Sequence, residues 1–395
     1  MAKKSKTQQD SAPAGKGGSG PRNTESTPAR KARDAKTSTK IHEFADGVSR
    51  MVLAKREPII EIPTRSRSNT IWNKKRGILQ MGDAVAERQL FNLNQAKQFM
   101  QTCLHSATVK QLIDAEKTLS LRGMFYKGLH TVAGTGGEKT FADQDESDGI
   151  LEDLEVSLSA LREELHIYAK KRGTMVGNIT IVDNGDEIDC RRMGTGGYAI
   201  PGIVEPDVIQ FKKCEAKFVL HVEKDTVWGR FNEDRFWEKH NCILTEGSGQ
   251  PTRGVRRLLR RLNEELNLPI YCLLDCDPWG HYIFSVIKQG SISLAFESER
   301  LAIPDAKFLG VRSKDYKACG LSDDVKLDLA ETDIKRAKEI MAYPWFDGDK
   351  KWEREIQGML DNGFKMEVES LITKDISYVT EVYVPQRLKD KDWLE

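Results

Sequence analysis

The sequence predicts a multidomain α/β protein in which a winged-helix domain precedes a mostly parallel α/β domain. The chain has 395 residues, enough for two or three domains of roughly 100–200 residues each. Helical periodicity dominates between about residues 83 and 170, whereas β-branched apolar runs alternate with helical patterns after residue 205. Such alternation of strands and helices is typical of a parallel sheet covered by helices.

The N-terminal region differs from the rest of the chain in charge and composition. Residues 1–40 contain ten basic and three acidic residues and few large apolar ones. This composition predicts a disordered basic arm, which either contacts phosphates loosely or only improves solubility. Residues 41–69 form an N-terminal extension whose amphipathic stretch, Ile41–Ile62, is a candidate docking segment for a partner.

Several classes of protein are excluded by composition. No apolar run approaches the ~18 residues of a membrane span, and no apolar core follows the basic N-terminus, as a secretory signal requires. The seven cysteines are odd in number and form no CxxC pair, so neither a disulfide framework nor a structural zinc is expected. We therefore expect a cytoplasmic protein.

Residues 70–200 show the element order of a winged-helix domain. A helical pattern over 83–117, with Asn92 as a candidate N-cap, precedes a second helix that Ser120 could cap. A third helical pattern begins at Ile150, and an Asn184-Gly185 turn then joins two short strand patterns. Three helices followed by a hairpin predict the winged helix.

Carboxylates end two apolar strand patterns of the second domain, residues 205–395. Glu223 follows one strand, and Asp275 and Asp277 follow another and point to the same side of it. Sites in open α/β sheets gather at the carboxyl ends of strands, where oxygen ligands suit Mg²⁺. The alternative is that these are solvated acids at strand ends.

A basic helix follows the loop TEGSGQP. Its five arginines recur at helical spacing and share one face: Arg253, Arg256, Arg257, Arg260 and Arg261. This pattern favours contacts with the DNA phosphate backbone, the alternative being a salt-bridged surface helix. The loop lacks the Gly-x4-Gly-Lys-[Ser/Thr] string, so we do not expect this chain to bind ATP.

Tyr126 is the candidate nucleophile. It lies four residues after Arg122, so the two side chains share a helix face. A phenol has a pKa near ~10, and an adjacent guanidinium could stabilise a phenolate or a phosphoryl oxygen. A lone tyrosine is more often a core residue, and that alternative stays open on spacing alone.

Taken together, these motifs resemble a known family. HVEKD, TEGSGQPTR and LLDCDPWG resemble the Toprim metal-binding fold, and SLRGMFY resembles the catalytic-tyrosine motif of topoisomerase VI A subunits and the related meiotic double-strand-break proteins. The resemblance runs from about residue 70 to near the C-terminus. That family often has two adjacent tyrosines at the nucleophile, whereas position 125 is Phe in this chain, which leaves Tyr126 alone.

The resemblance implies a DNA-cleaving and rejoining enzyme. Tyr126, assisted by Arg122, would form a 5′-phosphotyrosyl bond, with Mg²⁺ held by Glu223, Asp275 and Asp277. It further implies a homodimer in which each Tyr works with the partner's metal site, and an ATPase B subunit in an A2B2 heterotetramer on double-stranded DNA at the nucleoid. The alternatives are a meiotic-type break protein without full topoisomerase activity, a Toprim nuclease that needs no Tyr126, and a non-enzymatic DNA binder.

Overall fold

A computed structural model describes residues 28–395 of the chain. The α-helices in this part of the chain are α1 Pro28–Leu53, α2 Ala96–Asp114, α3 Leu121–Gly128, α4 Gln144–Ser157, α5 Asp225–Glu233, α6 Phe236–Lys239, α7 Arg253–Leu266, α8 Pro278–Lys288, α9 Ser298–Leu301, α10 Asp315–Ala318, α11 Glu331–Met341, α12 Lys350–Asn362 and α13 Val384–Asp390. None of them is both long enough and apolar enough to span a membrane.

The strands form one large sheet and several small ones. Their bounds are β1 Ile59–Pro63, β2 Thr70–Asn73, β3 Ile78–Met81, β4 Val85–Gln89, β5 Leu119–Ser120, β6 Ile167–Tyr168, β7 Thr174–Gly177, β8 Ile179–Asp183, β9 Asp186–Asp189, β10 Tyr198–Ala199, β11 Ile209–Cys214, β12 Val219–Val222, β13 Ile243–Glu246, β14 Ile270–Leu273, β15 Lys307–Gly310, β16 Leu327–Asp328 and β17 Phe364–Lys365. The large sheet has the order β10-β7-β13-β12-β14-β15. Four neighbouring strands of this sheet run parallel to one another: β13, β12, β14 and β15. This arrangement confirms the predicted α/β class.

Helix α1 corrects the prediction of a disordered arm for residues 28–40. Residues 1–27 lie outside the described residues, but from Pro28 onward the chain is helical. Ala, Lys and Arg favour a helix locally, and long-range polar contacts then fix it: Arg33 pairs with Asp207 at 2.6 Å and Asp34 with His166 at 2.9 Å. Composition could not reveal these partners, because they lie more than 130 residues away.

The helical unit has a core of its own. α2, α3 and α4 pack around Val109, Met124 and Leu151, and Ile41 of α1 joins the same cluster. α2 begins after Gln95 rather than at Asn92, and residues 85–89 of the predicted helical stretch 83–117 instead form strand β4, which pairs with β1. Ser120 caps α3 as predicted: its hydroxyl accepts a hydrogen bond from Gly123 N at 3.0 Å.

The predicted hairpin forms, but it belongs to the second unit. Asn184 and Gly185 have positive φ angles, as a tight two-residue turn between β8 and β9 requires. β11 adds to this hairpin, and Ile179 and Ile181 are buried in the α/β core rather than in the helical one. The prediction that this hairpin belongs to a winged helix of residues 70–200 is therefore corrected. The apolar face of the hairpin packs in the core of the α/β unit instead.

Candidate functional site

Tyr126 lies on the exposed face of α3. Met124, two residues earlier, is buried in the helical core, whereas the side chain of Tyr126 is 57% exposed. This difference follows from the helical period, since residues two apart point in nearly opposite directions. The alternative of a core tyrosine is thereby excluded.

Arg122 lies one turn before Tyr126 on the same face. Its Nη2 is 3.3 Å from the Tyr126 hydroxyl oxygen, and its guanidinium carbon lies 5.5 Å from the ring centroid. A guanidinium in this position lies within reach of a phosphoryl group attached to the phenol oxygen. The spacing of SLRGMFY therefore produces the predicted Arg–Tyr pair.

The three predicted acids lie at the carboxyl ends of β12 and β14. These strands are adjacent and parallel, with Val222 opposite Leu273, so their following residues meet. Glu223 Oε2 accepts a hydrogen bond from Asp275 N at 3.1 Å. Asp277 caps α8, where its Oδ1 accepts from Gly280 N at 2.6 Å. Sequence reasoning located this juxtaposition because strand ends were readable from the apolar runs.

Four further residues complete this cluster, and sequence reasoning missed them. Lys224 Nζ lies 2.9 Å from Asp275 Oδ2, 3.1 Å from Glu367 and 3.3 Å from Glu369, while Val368 N donates to Asp275 Oδ1 at 2.9 Å. Backbone hydrogen bonds between Met366 and Cys276 hold residues 367–369 beside the acids. Lys224 could have been noticed beside Glu223, but nothing local marks residues 367–369.

Burial and mutual repulsion raise the pKa values of the three carboxyl groups in this cluster. Burial, followed by repulsion from Asp275, raises the pKa of Glu223 to about 7. Burial likewise raises the pKa of Asp275 to about 6 although Lys224 opposes the shift, and burial raises that of Asp277. Among residues 28–395, no three His, Cys, Asp or Glu side chains are arranged to hold a metal ion as they stand.

We predict a pH dependence of stability from this cluster in chelator-containing buffer. A carboxyl whose pKa is higher in the folded than in the unfolded chain binds its proton more tightly when folded. Its stabilising contribution is therefore complete below the unfolded pKa near 4.5 and is lost as pH rises through about 7. The Glu223→Gln variant should gain on the order of 2 kcal/mol relative to the native chain between pH 5 and 8. Denaturant unfolding at both pH values measures this, and parallel pH profiles would contradict it.

The loop TEGSGQP is fixed beside the acids. Gly249 N donates to the Glu223 backbone carbonyl at 2.8 Å, and Gly249 adopts a positive φ of 87° that favours glycine. Thr252 then caps α7. The loop thus joins the metal-ligand candidates to the basic helix, as its sequence position suggested.

The arginine face of α7 is not a free surface. Arg256 and Arg261 are buried, Arg257 pairs with Glu205 at 2.8 Å, and Arg260 donates to Ala302 O at 2.7 Å. Arg261 also donates to Ile209 O at 2.8 Å. Four of the five guanidiniums bond to protein groups and Arg256 is buried, so the structure favours the alternative of a salt-bridged helix over the predicted phosphate contacts.

Arg253 links α7 to the helical unit through ion pairs. It pairs with Glu155 of α4 at 2.7 Å and with Glu297 at 3.0 Å. Glu155 also accepts from Arg162 Nε at 2.6 Å and is fully buried. The arginine face therefore joins the helical unit, which carries Tyr126, to the α/β unit, which carries the acids.

Family models divide the chain in the same way. The model for the Toprim domain shared by topoisomerase 6 A subunits and Spo11 matches residues 218–388. The model described as Type IIB DNA topoisomerase matches residues 97–167, which span α2 to α4. Between them, residues 171–215 match the all-beta domain of the DNA topoisomerase VI alpha subunit, in agreement with the separate three-stranded sheet.

Curated relatives resemble the chain over most of its length. The A subunit of type 2 DNA topoisomerase 6 from Aeropyrum pernix is 40% identical, over 87% of this chain and 92% of its own. Its counterpart from Saccharolobus shibatae is 41% identical over the same shares. The A subunit of DNA topoisomerase 6 from Arabidopsis thaliana is 32% identical, over 90% of this chain and 81% of its own. The chain therefore belongs to the family of type IIB DNA topoisomerase VI A subunits, as the resemblance of its motifs predicts.

Proposed function

We propose that this chain cuts and rejoins double-stranded DNA through a transient 5′-phosphotyrosyl bond at Tyr126. The observation that carries the proposal is the pair of Arg122 and the exposed Tyr126 hydroxyl, 3.3 Å apart, on a helix of the family's catalytic domain. A nuclease or a DNA-binding module would need no exposed tyrosine with a guanidinium beside its oxygen. The acids of the α/β unit supply the second half of the site.

The chemistry exchanges one phosphoester for another. The Tyr126 hydroxyl gives its proton to water and its oxygen attacks phosphorus. The bond from phosphorus to the 3′ oxygen breaks, and the leaving 3′ oxygen takes up a proton from water. Arg122 stabilises the phenolate before attack and the phosphoryl oxygens during it. In rejoining, the 3′ hydroxyl gives its proton to water and its oxygen attacks phosphorus. The bond to the Tyr126 oxygen breaks and that oxygen takes up a proton from water, so no net hydrolysis occurs.

The donor set of the acidic cluster fits Mg²⁺. Three carboxylates at one sheet edge, with pKa values raised by burial and mutual repulsion, would be relieved by a hard cation. Glu223, Asp275 and Asp277 would hold it. When bound, the ion supplies charge neutralisation at the phosphate and at the 3′ oxygen.

We propose that DNA contacts basic side chains other than the five arginines of α7. Arg122 and Lys127 are exposed on either side of Tyr126 along α3, which would serve as the DNA-facing helix of a winged-helix-like unit. Lys170, Lys171 and Arg172 are also exposed, and they line a cavity with Ser248 of the loop that contacts Glu223.

We further place the two halves of one site on different protomers of a homodimer. The ring contact of Tyr126 is with Phe125 and its hydrogen bond is with Arg122, both within α3, whereas the acids end strands of the other unit. A pair of inactive variants tests this arrangement. In a heterodimer of Tyr126→Phe and Asp275→Ala chains, one complete site would form across the interface, and we expect single-strand nicks with covalent adducts.

The homodimers of each variant are the controls and should form no adducts. If Tyr126 and the acids of the same protomer work together, the heterodimer will be as inactive as both homodimers. Titrating Mg²⁺ in the same cleavage assay with an Asp275→Glu chain checks the metal assignment: its midpoint should rise, and an unchanged midpoint would contradict it.

An ATPase B subunit would complete an A2B2 complex acting on chromosomal DNA in the nucleoid. Within the segment Ile41–Ile62, three of the four isoleucines are buried in the chain's own cores and are not docking residues, namely Ile41, Ile60 and Ile62. Val52 and Leu53 at the end of α1 are 55% and 83% exposed. The docking proposal therefore narrows to this end of α1.

A further inference from the structure

We propose that Lys224 is a built-in counter-ion of the acidic site, which competes with the divalent cation for Asp275 and is kept nearby by Glu367 and Glu369. The inference rests on the metal site of the proposed function and names the residue that sets its affinity. It concerns a side chain outside the three predicted ligands.

Both carboxylate oxygens of Asp275 already have partners. Its Oδ1 accepts from Val368 N at 2.9 Å, and its Oδ2 lies 2.9 Å from Lys224 Nζ. Glu223 and Asp277 also accept backbone hydrogen bonds. A cation that takes Oδ2 of Asp275 as a ligand must therefore replace the ammonium group.

The ammonium group of Lys224 has other carboxylate partners within reach when it leaves Asp275. Glu367 and Glu369 lie 3.1 and 3.3 Å from the same Nζ atom, and Thr226 fixes Glu369 by donating to it at 2.9 Å. The ammonium group can therefore leave Asp275 and keep two carboxylate partners.

The ammonium group of Lys224 and a divalent ion compete for the same oxygen of Asp275, which gives two alternative ion-pair arrangements. With the ammonium on Asp275, one positive charge partly compensates the carboxylates, so the cluster is stable without a divalent ion. With a divalent ion on Asp275, the ammonium pairs with Glu367 and Glu369 alone. Removing the ammonium should therefore strengthen metal binding and weaken the chelator-treated protein, a combination that a purely structural lysine would not produce.

Calorimetric titration of Mg²⁺ into the full chain, together with thermal unfolding in chelator and in Mg²⁺, tests the inference. For Lys224→Met we expect about tenfold tighter Mg²⁺ binding, which corresponds to roughly 1.4 kcal/mol. We also expect a lower unfolding temperature in chelator and a larger rise on adding Mg²⁺. Lys224→Gln serves if the Met variant does not fold.

Lys239→Met is the matched control, because Lys239 pairs with Glu381 at 3.1 Å away from the acids. It should leave Mg²⁺ binding unchanged. Unchanged or weaker Mg²⁺ binding by both Lys224 variants, with normal binding by the native chain, would overturn this inference alone. Absence of Mg²⁺ binding in the native chain and in the variants would overturn the metal site of the proposed function and this inference with it.

Discussion

Replacing Tyr126 by Phe is expected to abolish the covalent protein–DNA adduct, with a loss of more than roughly a thousandfold. The change removes only the oxygen that would attack phosphorus. The side chain is largely exposed and its hydroxyl bonds to Arg122 within its own helix, so folding should change by less than about 0.5 kcal/mol. DNA binding should also persist, since the cations of α3 remain.

The measurement is the amount of adduct trapped by denaturant on a labelled duplex, in the presence of Mg²⁺ and a B subunit. Tyr168→Phe is the matched control, because Tyr168 is another exposed tyrosine of the helical unit, on β6. Its adduct yield should equal that of the native chain. Adduct formation by Tyr126→Phe at the native level would remove Tyr126 as nucleophile.

The parts of the site that depend on local sequence were predictable. The cap Ser120, the spacing of Arg122 and Tyr126, and the strand-ending Glu223 all follow from periodicities of a few residues. Asp275 follows from the same reasoning, because two parallel strands bring their carboxyl ends together whatever lies between them. Local sequence patterns thus predict that Tyr126 lies on a helix and that the acids lie at strand ends.

Long-range contacts explain what the sequence could not provide. The periodicity of α7 correctly predicts one arginine face, but it does not distinguish phosphate from carboxylate as the partner. The partners of Arg253 and Arg257 are Glu155 and Glu205, 98 and 52 residues away. The same limitation hid the pairing of Lys224 with Glu369, 145 residues apart.

The arginine face leads to a second large effect, on stability. Glu155 is fully buried between Arg162 and Arg253, with contacts of 2.6 and 2.7 Å. Replacing it by Ala leaves two buried guanidiniums without this counter-charge, which typically costs about 3–5 kcal/mol. We expect the thermal unfolding transition of Glu155→Ala to fall by on the order of 10 °C.

Glu187→Ala provides the control, since Glu187 forms an exposed ion pair with Lys212 whose loss should cost less than about 1 kcal/mol. If Arg253 instead served DNA, Glu155→Ala would leave the unfolding temperature nearly unchanged and would strengthen DNA binding by freeing a cation. Because Glu155 belongs to the unit of Tyr126 and Arg253 to the unit of the acids, we also expect adduct formation to fall although Glu155 is on neither half of the catalytic site. A stable Glu155→Ala chain would therefore mean that other contacts hold the two units together.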